Sequence, residues 1–248
     1  MQEVPSSDRF PQLFWGLLAL SFALVIAAFL ASGAIRDVRQ NDVLTVKGSA
    51  KRPIRSDYVT WQVSVSSQQP TRKAAYQELK GYAEKVKRYL EAQRLPNTEI
   101  TSTPIVTSSI LERYPNGQET GKTLAYQLRE SLQLKSNEVD RITTLSRQAN
   151  ELINEGIPVE LAPPEYLYTQ LSKLRIEMLA EATKDAKARA EIIAKSTGNR
   201  IGVVRSADTG IFQITPRYST EVSDSGIYDT SSLEKDITAV VTVKFAIE

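Results

Sequence analysis

The chain has no cysteine and no histidine in 248 residues. Those absences exclude disulfides, thiol and imidazole catalysis, Cys/His zinc sites and a Ser-His-Asp triad. A chain without cysteine also fits export as a protein that needs no disulfide. An excess of one charge is missing too: 31 basic and 29 acidic residues leave a net charge of +2. That balance gives no reason to expect nucleic acid as a partner. No Gly-rich dinucleotide turn occurs. Hydrolysis, if there were any, would have to run on carboxylates alone.

What is present is ordinary for a folded protein, at 41% hydrophobic and 24% charged residues, with one exception. From Phe10 to Ile35 there is no charge, and Arg9 and Arg36 bound the run. A helix over Leu13–Ile35 would be about 34 Å long, against a hydrocarbon core of roughly 30 Å. Pro11 suits a first helical turn, and Phe14 and Trp15 suit an interface. The favoured reading is a transmembrane anchor, or uncleaved signal, over residues 13–35 in the lipid bilayer. A tail of residues 1–12 precedes it and a linker of residues 36–42 follows. A cleaved signal peptide is the rival, because Ser32-Gly33-Ala34 has small residues at the spacing a peptidase reads. Charge does not orient the segment: Arg9 and the amine stand on one side, Arg36 and Arg39 on the other.

Beyond the anchor, the dominant feature is Leu171–Thr197, closed by Gly198. Leu171, Leu174, Met178, Ala182, Ala186, Ala190 and Ile193 recur at threes and fours, one face of a helix. Asp185/Arg189 and Glu191/Lys195 are acid-before-base pairs four apart. Gly198 can take the left-handed conformation that ends a helix. A second helix opens at Pro70-Thr71 and runs to about Arg94, with Ala75, Leu79, Tyr82, Val86 and Leu90 inward. Its outer face carries more bases than acids, of mixed sign, and reads as a solvated face. A third helix starts after Asn137, with Asp140 three residues on as a capping arrangement, and reaches Gly156.

Period-two alternation marks the strands. Val43–Val46 is short, with Lys51-Arg52-Pro53 interrupting before Tyr58–Ser67. Glu99–Leu111 and Thr123–Lys135 follow, then Ile157–Tyr168, Ile201–Thr215 and Asp236–Ile247. The order strand–long helix–strand–strand occurs twice, at about Tyr58–Lys135 and Ile157–Ile247. The expected class is α+β, a duplicated βαββ unit with mainly antiparallel sheets covered by long helices, after one transmembrane helix. The soluble domain is residues 43–248, with halves at about 43–136 and 137–248. Arg217–Lys235 has no periodicity and reads as a flexible or contact loop.

Candidate chemistry is thin. Asn116–Thr123, NGQETGKT, falls one glycine short of a phosphate loop, and the period-two run after it makes it a hairpin tip. Glu221, Asp224, Asp229, Glu234 and Asp236 lack the spacing of a calcium loop. Asp57 beside Tyr58, and Glu160 with Glu165 around Pro163-Pro164, are exposed strand-end carboxylates that nothing in the spacing forces together. Trp61 lies on the face of Val59 and Val63 and reads as core. No catalytic, cofactor-binding or metal-binding residue is expected, and no cofactor.

The run Val46-Lys47-Gly48-Ser49-Ala50, followed by Ser56-Asp57-Tyr58 and Trp61, resembles the SIMPL domain family. So do DAKARAEIIAKSTG, ending at Gly198, and the closing ITAVVTVKF. The resemblance spans Val43–Glu248. It implies a βαββ-based fold, a periplasmic or cell-envelope location, ring-like or channel-like oligomers and a loose link to oxidative and other stress. It supplies no catalytic residue. The expectation is therefore a non-enzymatic, single-pass inner-membrane protein with a periplasmic, self-associating domain and an unidentified envelope partner. A ligand- or protein-binding module of the envelope is the alternative, and a carboxylate-based hydrolase ranks below it.

Overall fold

A computed structural model describes residues 14–27 and 43–248. Residues 14–27 are helical (α1), with large apolar side chains such as Trp15 and Phe22 exposed. Among the described residues no helix is long and apolar enough to cross a membrane. The expected anchor over 13–35 lies outside the described residues at 13 and 28–35, as do the tail 1–12 and the linker 36–42.

The rest is a mixed α+β chain. Contacts group it into two compact units. One contains Met1–Ser49, Glu181–Gly210 and Val240–Glu248, and the other Ala50–Ala180 and Ile211–Ala239. The strands β1 (Val43–Arg55) and β11 (Glu234–Ile247) and the helix α5 (Leu171–Ser196) run through both. The groupings differ from the sequence halves 43–136 and 137–248.

The larger unit is built on a six-stranded sheet. Its centre is β2 (Tyr58–Gln69) against β5 (Glu119–Ser136), antiparallel from Val59↔Ser136 to Gln69↔Tyr126. Two strands lie along the other side of β5: β3 (Thr98–Ser102) and β4 (Val106–Arg113). The sequence reads as one strand there, but Pro104 cannot donate to a ladder and divides it. The same physics acts at Ile157–Tyr168. Pro163-Pro164 splits that run into β6 (Val159–Leu161) and β7 (Glu165–Leu167), both antiparallel to β2.

Helix α2 (Arg72–Ala92) starts where Thr71 accepts from the Ala74 N–H at 3.2 Å. It buries Ala75, Leu79, Val86 and Leu90 in a core that includes Val59, Trp61, Leu132 and Leu134. The expected third helix is two: α3 (Val139–Gln148) and α4 (Glu151–Asn154). Asn137 does not cap it. Glu138 holds the N-cap position, without a side-chain bond, and its N–H donates to Ser136 Oγ at 3.0 Å.

The second sheet runs β1-β11-β9-β10, with β8 (Ile201–Thr209) also on β11. β8 and β9 (Gln213–Pro216) are antiparallel to β11, and β10 (Ile227–Tyr228) is parallel to β9. β1 is continuous through Lys51-Arg52-Pro53, where the sequence suggested a break. Its place at the end of the sheet path accommodates a proline without a lost ladder bond. The strand–helix–strand–strand order therefore closes differently from the expected tandem copy. The strand that pairs with β11 ahead of α5 and β8 is β1, while Ile157–Tyr168 joins β2.

In the smaller unit α5 lies directly on β1. A Cβ on Gly48 would overlap the Ala182 carbonyl, the Ala186 N–H and the Ala186 side chain. Ala182, Ala186, Ala190 and Ala194 are all buried, whereas Ile193, expected inward, is exposed. Buried positions four apart on a 3.6-residue helix wind around it, so the stripe reaches Ala194 rather than Ile193. Gly198, at φ 77°, ends the helix with the Asn199 N–H on the Ala194 carbonyl at 2.8 Å.

Candidate functional site

The carboxylates that could have formed a site are spread among structural tasks. Asp229 accepts from the Ser231 hydroxyl and from the Ser231 and Ser232 N–H groups. Glu234 meets Arg55 at 3.2 Å and Arg217 at 3.5 Å. Asp236 meets Lys51 at 3.1 Å and the Tyr218 N–H, also at 3.1 Å. Asp57 holds the Thr169 N–H and hydroxyl, each at 2.7 Å, and Glu160 pairs with Arg129. Glu165 accepts from the Thr60 hydroxyl, at 3.5 Å. Among the described residues no group of three or more acids could hold a metal ion.

NGQETGKT is the tip joining β4 to β5. Gly117 and Gly121 sit at φ 85° and 84°, and Lys122 pairs with Glu112 at 3.5 Å. No helix begins there to receive a phosphate, so the hairpin reading stands. Trp61 is core, 1% exposed, and its Nε1–H donates to the Ala162 carbonyl at 2.9 Å. On α2 the basic side chains face solvent, with Lys87 near Glu91 and Arg72 over the Tyr126 ring. On α5 the pair Asp185/Arg189 forms at 2.8 Å, but Glu191 turns back to Lys187 instead of forward to Lys195. Asp185 also accepts from the Ser49 N–H, and this bond, then Arg189, holds its carboxyl below the ordinary value.

A buried amine and a half-buried carboxyl escaped the sequence reading. Lys235 is 2% exposed, and its Nζ donates to the carbonyls of Tyr166, at 2.6 Å, and Asp229. Burial pushes this amine below its ordinary value, opposed by the charge of Asp229. The Glu-Lys-Asp triplet looked like a solvated loop end, and no local signal marks its lysine as interior. Glu78 accepts from Ser67, Gln69 and Tyr82, bonds that draw its carboxyl down in that order against the opposing effect of burial. Both groups lock loops and helices to strands.

What remains uncommitted is strand edge. β8, nine residues long, pairs with β11 alone among the described strands. It exposes Val203 and Val204, at 64% and 55%, on its two opposite faces. In the larger unit β4 pairs with β5 alone and exposes Val106 at 65%. Neither strand contains lysine or proline, although β8 carries Arg205 and Asp208 and β4 ends on Glu112 and Arg113, charges of the kind that blunt an edge. A strand edge beside exposed valines is a template for another strand. Asn199-Arg200 and the apolar run after it signalled a strand, but not that Val203 and Val204 would both be exposed.

The family model SIMPL, described as "Protein of unknown function (DUF541)", matches residues 44–245. No curated protein matches the chain. Among solved structures, a candidate amidohydrolase/peptidase from Burkholderia cenocepacia aligns at 14% identity with a TM-score of 0.22. The alignment covers 50% of this chain and 29% of that one, a likeness too slight to carry over a fold or an activity.

Proposed function

Because the chain belongs to the SIMPL family, we propose that it is a non-enzymatic cell-envelope protein whose α+β domain works by self-association. Residues 13–35 hold it in the inner membrane as a single pass, with the domain on the periplasmic side and a role in stress tolerance. The uncharged run Phe10–Ile35 and the exposed apolar helix at 14–27 support the anchor. The domain repeats a strand–helix–strand–strand order, with β1 completing the second copy.

One observation carries the self-association. β8 pairs with β11 alone among the described strands and exposes valines on both faces, an edge on which a strand of another copy can add. A chain with two such edges, β8 and β4, supports head-to-tail pairing of β8 with β4 of the next copy, which closes into a ring when the rotation allows. The dispersal of the carboxylates into ion pairs and caps favours a non-enzymatic role.

The test is the mass of the full chain in detergent by light scattering, corrected for bound detergent. The wild type gives a multiple of 27.6 kDa. A Val203→Lys, Val204→Lys chain, charged on both faces of the edge, shifts to the single-chain mass. A wild type that stays at the single-chain mass at high concentration overturns the proposal.

A further inference from the structure

The larger unit contains a cleft of about 360 Å³ between the start of α5 and the Ile211–Tyr228 region. Its lining includes Arg175, Ile211, Phe212, Gly226, Ile227 and Tyr228. That volume lies within the range of small-ligand sites, and apolar Ile211, Phe212 and Ile227 share the lining with polar Ser225 and Arg175. One other cleft is lined by Glu165 with no base, and three more hold charges of both signs, as where Asp140 lines one wall with Arg141. There Asp140 already pairs with Arg55 and Arg141 donates to the Gln93 carbonyl.

Arg175 is different. Its guanidinium carbon lies over the Phe212 ring, 5.7 Å from the centroid, and no acid pairs with it among the described residues. A cation–π contact draws on the charge of the group and takes none of the hydrogen bonds its N–H fork can donate. That fork matches a carboxylate, which takes two parallel hydrogen bonds from it. One cation and no second basic group suit a single negative charge. The side chains of Ile211, Ile227 and Tyr228 suit an apolar body attached to it.

The far wall is built in advance. Ile227 and Tyr228 pair with Gln213 and Ile214 as a parallel ladder. The Asp229 N–H donates to the Ile214 carbonyl at 2.9 Å, and buried Lys235 holds the Asp229 carbonyl. Gly226, at φ 86°, lets the turn press on Ile211, where a Cβ would come within 2.6 Å of its Cγ2. A pre-formed wall binds with little ordering loss.

We propose that this cleft binds a small monocarboxylic acid with an apolar or aromatic body, Arg175 taking the carboxylate. The inference stands on the cleft alone and does not depend on self-association or on the membrane anchor. The experiment titrates 3-phenylpropionate, and separately its neutral amide, into the full chain in lipid nanodiscs. The isoleucine methyl groups are labelled for NMR. Expected are saturable shifts at Ile211 and Ile227 with the acid, at least tenfold weaker binding in Arg175→Gln, partial recovery in Arg175→Lys, and tenfold weaker binding of the amide. Unchanged resonances of the remaining isoleucines show that each variant is folded. Equal binding of acid and amide, an Arg175→Gln chain that binds as the wild type does, or no shift at Ile211 and Ile227 overturns the proposal.

Discussion

At the scale of single residues, polar groups such as half-buried Glu78 and buried Lys235 fasten elements together. Glu78 takes three hydrogen bonds, from Ser67 and Gln69, which tie α2 to β2, and from Tyr82 one turn along the helix. Its folded-state value lies below the ordinary 4.5 of a glutamate. A carboxyl with a depressed folded value stabilises fully above its unfolded value, and that stability is lost as pH falls through the folded one. Urea unfolding should therefore give a midpoint that declines on acidification below about pH 4.5, and more shallowly in Glu78→Gln. Parallel declines would contradict this. Such pairings were hidden in the sequence, because Ser67 and Glu78 meet only when the strand-to-helix turn folds back. Trp61 was legible as core because its neighbours Val59 and Val63 declare the face. Buried Lys235 was not, since its two partners are carbonyls, which carry no residue signature.

At the scale of elements, periodicity carried most of the fold. Helices α2 and α5 and the strands β2, β5 and β11 follow their apolar spacing closely. The departures have local causes. Prolines divide two expected strands. Gly210 divides a third, where a Cβ would come within 2.7 Å of the Val240 carbonyl. An edge position lets β1 continue through Pro53. What spacing did not reveal is how closely α5 sits on β1, although the alanine stripe and Gly48 both record it. Gly48→Ala forces a methyl group against helix backbone and should destabilise by about 3 kcal/mol. Gly81, inside α2, has open space where a Cβ would go. Gly81→Ala should stabilise by about 0.8 kcal/mol through helix propensity alone. Urea midpoints of the two variants moving in opposite directions would bear out the close helix–strand approach, and equal shifts would contradict it.

At the scale of the whole molecule, two sheets each finish on a strand that nothing described covers. The sequence makes the class legible, α+β, because two long amphipathic helices interrupt alternating runs. It does not make the pairing legible. Which strand joins which depends on long-range closure, and β1 pairing with β11 has no local signature. The uncovered edges were illegible for the same reason, since Val203, Val204 and Val106 read like valines of any buried strand. Their exposure gives a reason for copies to meet edge to edge.

The absence of native cysteine makes that meeting directly measurable, since an introduced pair is the only source of disulfides. Paired strands bring opposed Cα atoms within the range a disulfide spans. One cysteine is placed at 203, 204 or 205 on β8 and one at 107, 108 or 109 on β4, in all combinations, and the full chain is oxidised in its membrane. Head-to-tail pairing predicts a ladder of cross-linked multimers for at least one combination, with each cysteine alone and the control Lys184→Cys, on the exposed face of α5, giving none. No ladder in any combination, or dimers from a β8 cysteine alone, would contradict it.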